Sequence, residues 1–239
     1  MQDFIRSIRM NLEDAEDSYY KRIPAIYNLT TLDFEDNITF FVGENGTGKS
    51  TLLEAIAVSY GFNPEGGSKN FMFSSRVTHS DLYQHIKLIR GVKRPSDDFF
   101  LRAESMYNLA TEVENLSDPG FIQGYGGKSL HAQSHGESFL ALLVNRFRGK
   151  GLYLLDEPEA ALSPQRQLSM LIRIHELAKD SQFIIATHSP ILLGMPNATI
   201  YSFDEEEIHK ISYEDTESYQ VTKLFLNSRE QMLHRLLNL

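Results

Sequence analysis

Cysteine is absent from all 239 residues of the sequence. That excludes a disulfide framework and any thiolate metal site, and it fits a reducing compartment such as the cytoplasm. Long apolar runs are missing too. Nothing approaches the roughly 20 consecutive apolar residues that cross a bilayer, so no membrane insertion is expected. The opening stretch, MQDFIRSIRMNLEDAEDSYY, is too acidic and too interrupted for a signal peptide. Positive charge is in short supply: 23 Lys and Arg against 32 Asp and Glu leave a net charge of −9, with a pI near 5.4. Such a surface repels phosphate backbones as a whole. It counts against non-specific nucleic-acid binding and leaves only a local basic groove open. No internal repeat, low-complexity tract or sustained heptad pattern is present.

What remains is ordinary globular material, 41% hydrophobic and 23% charged, enough for one domain over 1–239 with a real core. "NITFFVG" has the β-branched and aromatic content of a buried strand, and "KSTLLEAIAVSYG" sets Leu52, Leu53, Ile56 and Ala57 on one helical stripe. From 62 to 133 the chain is punctuated by "NPEGGS", "RPSDD", "SDPG" and "GYGGKS". This reads as a loop-rich insertion, an arm or lid, with a possible strand at "FFLRAES". Beyond it, helical and strand patterns alternate: "HGESFLALLVNRF", "GLYLLDEPE", "SPQRQLSMLIRIHELAKD", "QFIIATHSP". A hairpin at "ATIYSFDEEEIHKISYE" and a closing amphipathic helix at "ESYQVTKLFLNSREQMLHRLLNL" follow. Alternation of this kind predicts an α/β fold with a mainly parallel sheet flanked by helices.

Gly43-Glu44-Asn45-Gly46-Thr47-Gly48-Lys49-Ser50 fills the pattern G-x-x-x-x-G-K-[ST] between a predicted strand and a predicted helix. Glycines let the backbone curl so that successive N–H groups meet phosphate oxygens, and the helix N-terminus adds positive potential there. Lys49 is expected at the β- and γ-phosphates, Ser50 on Mg²⁺ and Thr51 at the α-phosphate. The plain alternative is a glycine turn before a helix. Further on, four apolar residues, Leu152 to Leu155, run straight into Asp156 and Glu157. Burying two acids at a strand end is costly unless a metal or cation meets them. Asp156 is expected to hold Mg²⁺ and Glu157 to act as general base on the attacking water, the alternative being a solvated strand end. His188 ends another apolar strand, at the sheet edge where ligands bind in α/β folds. A neutral imidazole there can donate to a γ-phosphate or hold the water; otherwise it is a structural histidine.

The order of these segments, with "QSHGES" just upstream of the acidic strand, resembles the ABC-type ATPases. It is most similar to their soluble branch, which includes the SMC and double-strand-break-repair ATPases and many stand-alone bacterial AAA family proteins. The resemblance runs from about Phe40 to Ser189. It implies a P-loop NTPase sheet with an antiparallel portion near the N-terminus. It further implies that Ser134, Gly136 and Glu137 form a signature loop, that "ALSP" is a D-loop and that His188 is a switch histidine. ATP with Mg²⁺ would then lie between two copies of the chain, driving homodimerisation that acts on a protein or nucleic-acid partner, with hydrolysis releasing the dimer. Ser134 and Glu137 also form the capping box S-x-x-E. The sequence departs from the pattern at Gln133 and His135, which replace the signature's leucine and first glycine. It offers Glu104, rather than Gln84 or Gln123, where a Q-loop glutamine is sought, and Tyr19, Tyr20 and Tyr27 as candidates for stacking on the base.

The clusters Arg90, Lys93, Arg94 and Arg146, Arg148, Lys150 are a solvated face or a contact for nucleic acid or an acidic partner. The acidic run Asp204 to Glu207 reads as a turn. The stripe of Val221, Leu224, Phe225, Met232, Leu233, Leu236 and Leu237 is expected to pack on the core, the alternative being a partner-binding helix. Beside the leading reading stand an ATP-binding subunit of a membrane transporter, a small-molecule kinase and a non-catalytic nucleotide sensor.

Overall fold

The computed structural model describes residues 4–15, 17–68, 80–102 and 135–238. Six strands form one sheet in the order β5-β6-β7-β3-β8-β9, comprising β3 (Ile38–Val42), β5 (Asp97–Arg102), β6 (Gly151–Asp156), β7 (Gln182–Ala186), β8 (Thr199–Ser202) and β9 (His209–Ile211). The first five run parallel and β9 pairs antiparallel with β8, as the hairpin reading requires. A second, antiparallel sheet of three strands, β2-β1-β4, joins β1 (Ile5–Met10), β2 (Thr31–Asp33) and β4 (Ile86–Arg90). The mixed α/β architecture with an antiparallel portion near the N-terminus is therefore present. Where it is described, the 62–133 stretch supplies β4 to one sheet and β5 to the edge of the other.

The apolar strands are buried on both faces, which explains their continuous hydrophobic runs. Along β6, Leu152 and Leu154 point into one core with Leu52, Leu53 and Ile56 of α2 (Lys49–Tyr60). Tyr153 and Leu155 point into the other, with Leu142 and Leu143 of α3 (His135–Asn145) and Met170 and Ile174 of α4 (Pro164–Leu177). Among the described residues α1 (Pro24–Tyr27) and α5 (Pro190–Leu193) are short helices. The two sheets are clasped by Gln182, a buried amide at the start of β7. Its Oε1 accepts from the Phe4 and Ile5 N–H groups at 3.1 and 2.9 Å, and its Nε2 donates to the Ile5 carbonyl at 2.8 Å.

The C-terminal expectation is corrected. The closing segment is two helices, α6 (Glu217–Asn227) and α7 (Arg229–Leu237), broken at Ser228, and neither contains a buried residue. Leu224 is 54% exposed and Leu236 67%, so the stripe is amphipathic but does not pack on the core.

Candidate functional site

In a parallel sheet the functional residues collect at the carboxyl edge, and here β6, β7 and β3 are consecutive neighbours, so their ends converge. After Val42 the chain turns through Gly43 at φ 143° and reaches α2 through Gly48 at φ 99°. Both angles suit glycine, and both sites are also crowded. A Cβ on Gly43 would lie 2.8 Å from the Asp204 Oδ1, and one on Gly48 would lie 2.7 Å from the Ile26 side chain of α1. Within the loop, the Thr47 hydroxyl donates to the Glu44 carbonyl at 2.9 Å, while the Glu44 N–H donates to Asp204 at 2.5 Å. No side chain caps α2, which leaves its first-turn N–H groups for an anion.

Lys49 opens α2, is only 4% exposed, and donates to the Gly43 and Glu44 carbonyls at 2.6 and 2.8 Å. Burial lowers its pKa below the ordinary lysine value; Glu157, Asp204, Asp156 and Glu44 oppose that shift. The Ser50 hydroxyl donates to the Asp156 Oδ1 at 2.8 Å, across 106 residues of sequence. Thr51 lies 3.5 Å from the Tyr19 hydroxyl. Among the aromatic candidates Tyr20 is fully buried and closed to a base, whereas Tyr19 is 57% exposed beside the loop. Asn45, Gly46 and Thr47 border a groove of about 820 Å³ whose far wall is Asp204 to Glu207. That acidic wall makes the Lys49 side of the loop the better bed for phosphates.

Asp156 is buried at the end of β6, and Glu157 turns out of the strand at φ 48° while its N–H still donates to the Ala186 carbonyl at 2.9 Å. A left-handed glutamate is strained by on the order of 1–3 kcal/mol, a feature concentrated at functional sites. Two residues past β7, the exposed His188 is fixed through its backbone N–H, which donates to Glu159 Oε1 at 2.6 Å. Ser189 braces the same turn, its hydroxyl donating to Gln167 at 2.6 Å. Glu137 meets Arg166 at 3.3 Å, tying α3 to α4. Gly136 lies in the first turn of α3. Ser134, Gln133, Gln123 and Glu104 lie outside the described residues. Gln84 is exposed in the turn that precedes β4.

Five contacts were not foreseen. Asp204, read as part of a turn, caps the phosphate loop at Glu44. Glu217 of α6 lies near Glu44, whose charge raises its pKa. Glu159 holds His188, and the Arg102–Glu54 pair backs Asp156. All depend on residues brought together by the sheet. The basic clusters are partly used internally: Arg90 stacks on the Tyr60 ring at 4.6 Å, and Arg146 pairs with Asp97.

Ser50 and Asp156 offer two hard oxygen donors in contact, which fits a Mg²⁺ completed by phosphate oxygens and water. Among the described residues no group of three acids or histidines could cage a metal by itself.

Two family models match the chain, an "AAA domain" over residues 21–111 and an "AAA domain, putative AbiEii toxin, Type IV TA system" over 130–194. Curated relatives include a probable branched-chain amino acid transport ATP-binding protein, LivF, of Archaeoglobus fulgidus. It is 25% identical over 195 residues, covering 76% of this chain and 79% of its own. The phosphate import ATP-binding protein PstB 1 of Lactococcus lactis is 24% identical, covering 89% and 90%. Among solved structures, cbiO1 of Clostridium perfringens, described as part of the ABC transporter complex cbiONQ, superposes with a TM-score of 0.51. It has 17% identity and covers 99% of this chain and 100% of that one, a likeness of fold. The chain is thus similar to P-loop domains of the AAA/ABC ATPase type.

Proposed function

We propose that this chain binds ATP with Mg²⁺ on the loop from Gly43 to Thr51, hydrolyses it to ADP and phosphate, and closes into a homodimer as it does so. The observation that carries the reading is the 2.8 Å contact of Ser50 with Asp156, beside a buried Lys49 at an uncapped helix start. Lys49 exchanges its two carbonyl partners for phosphate oxygens, keeping its hydrogen bonds while gaining a charged acceptor. Ser50 and Asp156 would hold Mg²⁺, which would supply charge neutralisation on the phosphates. Glu157, already turned out of the strand, takes a proton from the attacking water, and His188 donates from its braced turn. Gly136 and Glu137, with Ser134, would complete the site of a second copy across the interface. The conversion then acts on a macromolecular partner of the cytoplasm, nucleic acid or protein.

A transporter subunit is the second reading, favoured by the transport proteins among the relatives. Co-purification with an integral membrane protein would select it. The main test compares wild type with Glu157→Gln, with and without DNA, following phosphate release and molecular mass. Removing a general base is expected to slow hydrolysis by about 10²–10⁴-fold. Nucleotide binding should persist, and ATP should trap a dimer. Loss of binding together with turnover would refute the role given to Glu157.

A further inference from the structure

Asp156 is held from two sides. Ser50 reaches its Oδ1 at 2.8 Å, while the Arg102 Nε stands 3.9 Å from its Oδ2. Arg102 is the last residue of β5 and pairs in register with Asp156 of β6, so sheet geometry fixes the approach. Its Nη1 donates to Glu54 Oε2 of α2 at 2.6 Å, and the three side chains are 18%, 11% and 6% exposed for Arg102, Glu54 and Asp156. Glu54 is tied further, its Oε1 accepting from the Ser80 N–H at 3.2 Å. The guanidinium is therefore anchored on the phosphate-loop helix and stands over the outer oxygen of the acid that faces Ser50.

Resting on the assignment of Ser50 and Asp156 as metal ligands, we propose that Arg102 is a positioning residue that restricts Asp156 to one coordinating oxygen and so selects Mg²⁺ against Ca²⁺. The chemistry follows from the ions. Mg²⁺ is small, octahedral and content with single carboxylate oxygens and water. Ca²⁺ takes six to eight oxygens and gains from carboxylates that bind through both. With its outer oxygen facing a buried cation, Asp156 cannot serve Ca²⁺ in that way. The cation also repels any metal, but this affects both divalent ions alike, so the ratio of their effects isolates the geometric part.

The test measures affinity for a fluorescent ATP analogue in magnesium, in calcium and in chelator. Removing Arg102 alone would leave Glu54 buried with its charge uncompensated, so the main variant is Arg102→Met with Glu54→Gln, and Arg102→Lys keeps the charge without the fork. The preference for magnesium over calcium is expected to fall by about tenfold in the double variant, with affinity in chelator unchanged within about twofold. Arg102→Lys should lose part of the preference. An unchanged preference with intact binding in chelator overturns the proposal and leaves the metal site standing. Equal affinity of the wild type in all three conditions overturns the metal site, and the proposal with it. An equal loss of affinity in chelator shows that Arg102 only supports the fold, which also overturns it.

Discussion

Lys49 holds a cation in a desolvated place by aiming it at two carbonyls of its own loop. Four carboxylates around it keep the charged form competitive against burial. A polyphosphate is the natural replacement for those carbonyls, and charge-assisted hydrogen bonds contribute about 1.5–3 kcal/mol each. Lys49→Ala should therefore weaken nucleotide binding by about 10- to 100-fold in a direct titration. The loop also has an acidic edge. Glu217 lies near Glu44, whose charge raises its pKa. A carboxyl with a raised pKa contributes stability at low pH and loses it as pH rises through its folded-state value. Above that value both acids are charged and repel each other. Glu217→Gln should thus raise the melting temperature by about 1 °C at neutral pH. The gain should shrink as pH falls toward the ordinary glutamate value of 4.5. A pH series of thermal melts reads both parts.

At the scale of elements, α6 and α7 are well-formed amphipathic helices that contribute little to the core. Charged substitutions at Leu224 and Leu236 are expected to shift unfolding free energy by no more than about 0.5 kcal/mol, as at ordinary surface positions. Denaturant titration of Leu224→Glu with Leu236→Glu checks this. A much larger loss would mean that the helices are packed. The same helices mark the limit of what the residues alone disclose. Apolar spacing revealed that the segment is helical, because period depends on the chain itself. It could not reveal what the stripe faces, which depends on the surface beneath. The phosphate loop, the acidic strand end and the histidine turn were legible for a similar reason: each packs its chemistry into a few adjacent residues. Asp204, Glu217, Arg102 and Glu159 carried no such local mark. Asp204 looks like one acid in a run of four. Its place beneath Glu44, 160 positions away, exists only once β8 has paired with β3. The two-sided burial of β6 was foreseeable from Leu152 to Leu155, but which core each residue enters follows from α2 lying on one face and α3 with α4 on the other.

At the largest scale the described residues form two sheets sharing a boundary, with the phosphate loop braced from both. From the larger sheet come Asp156 and Asp204; from the chain between the strands of the smaller one come Ile23 and Ile26, which crowd Gly48, and Tyr19, which meets Thr51. The amide of Gln182 therefore does more than fill a core position. It pins the two sheets together at the far edge from the loop, and removing it should slacken the bracing that Gly48 receives on the opposite side. Gln182→Ala forfeits three buried hydrogen bonds, about 2–4 kcal/mol. Amide exchange is expected to quicken first at residues 4–10 and then around 23–26 and 44–48, while β6 stays protected. Nucleotide grip would then be tuned from a position that never touches the ligand.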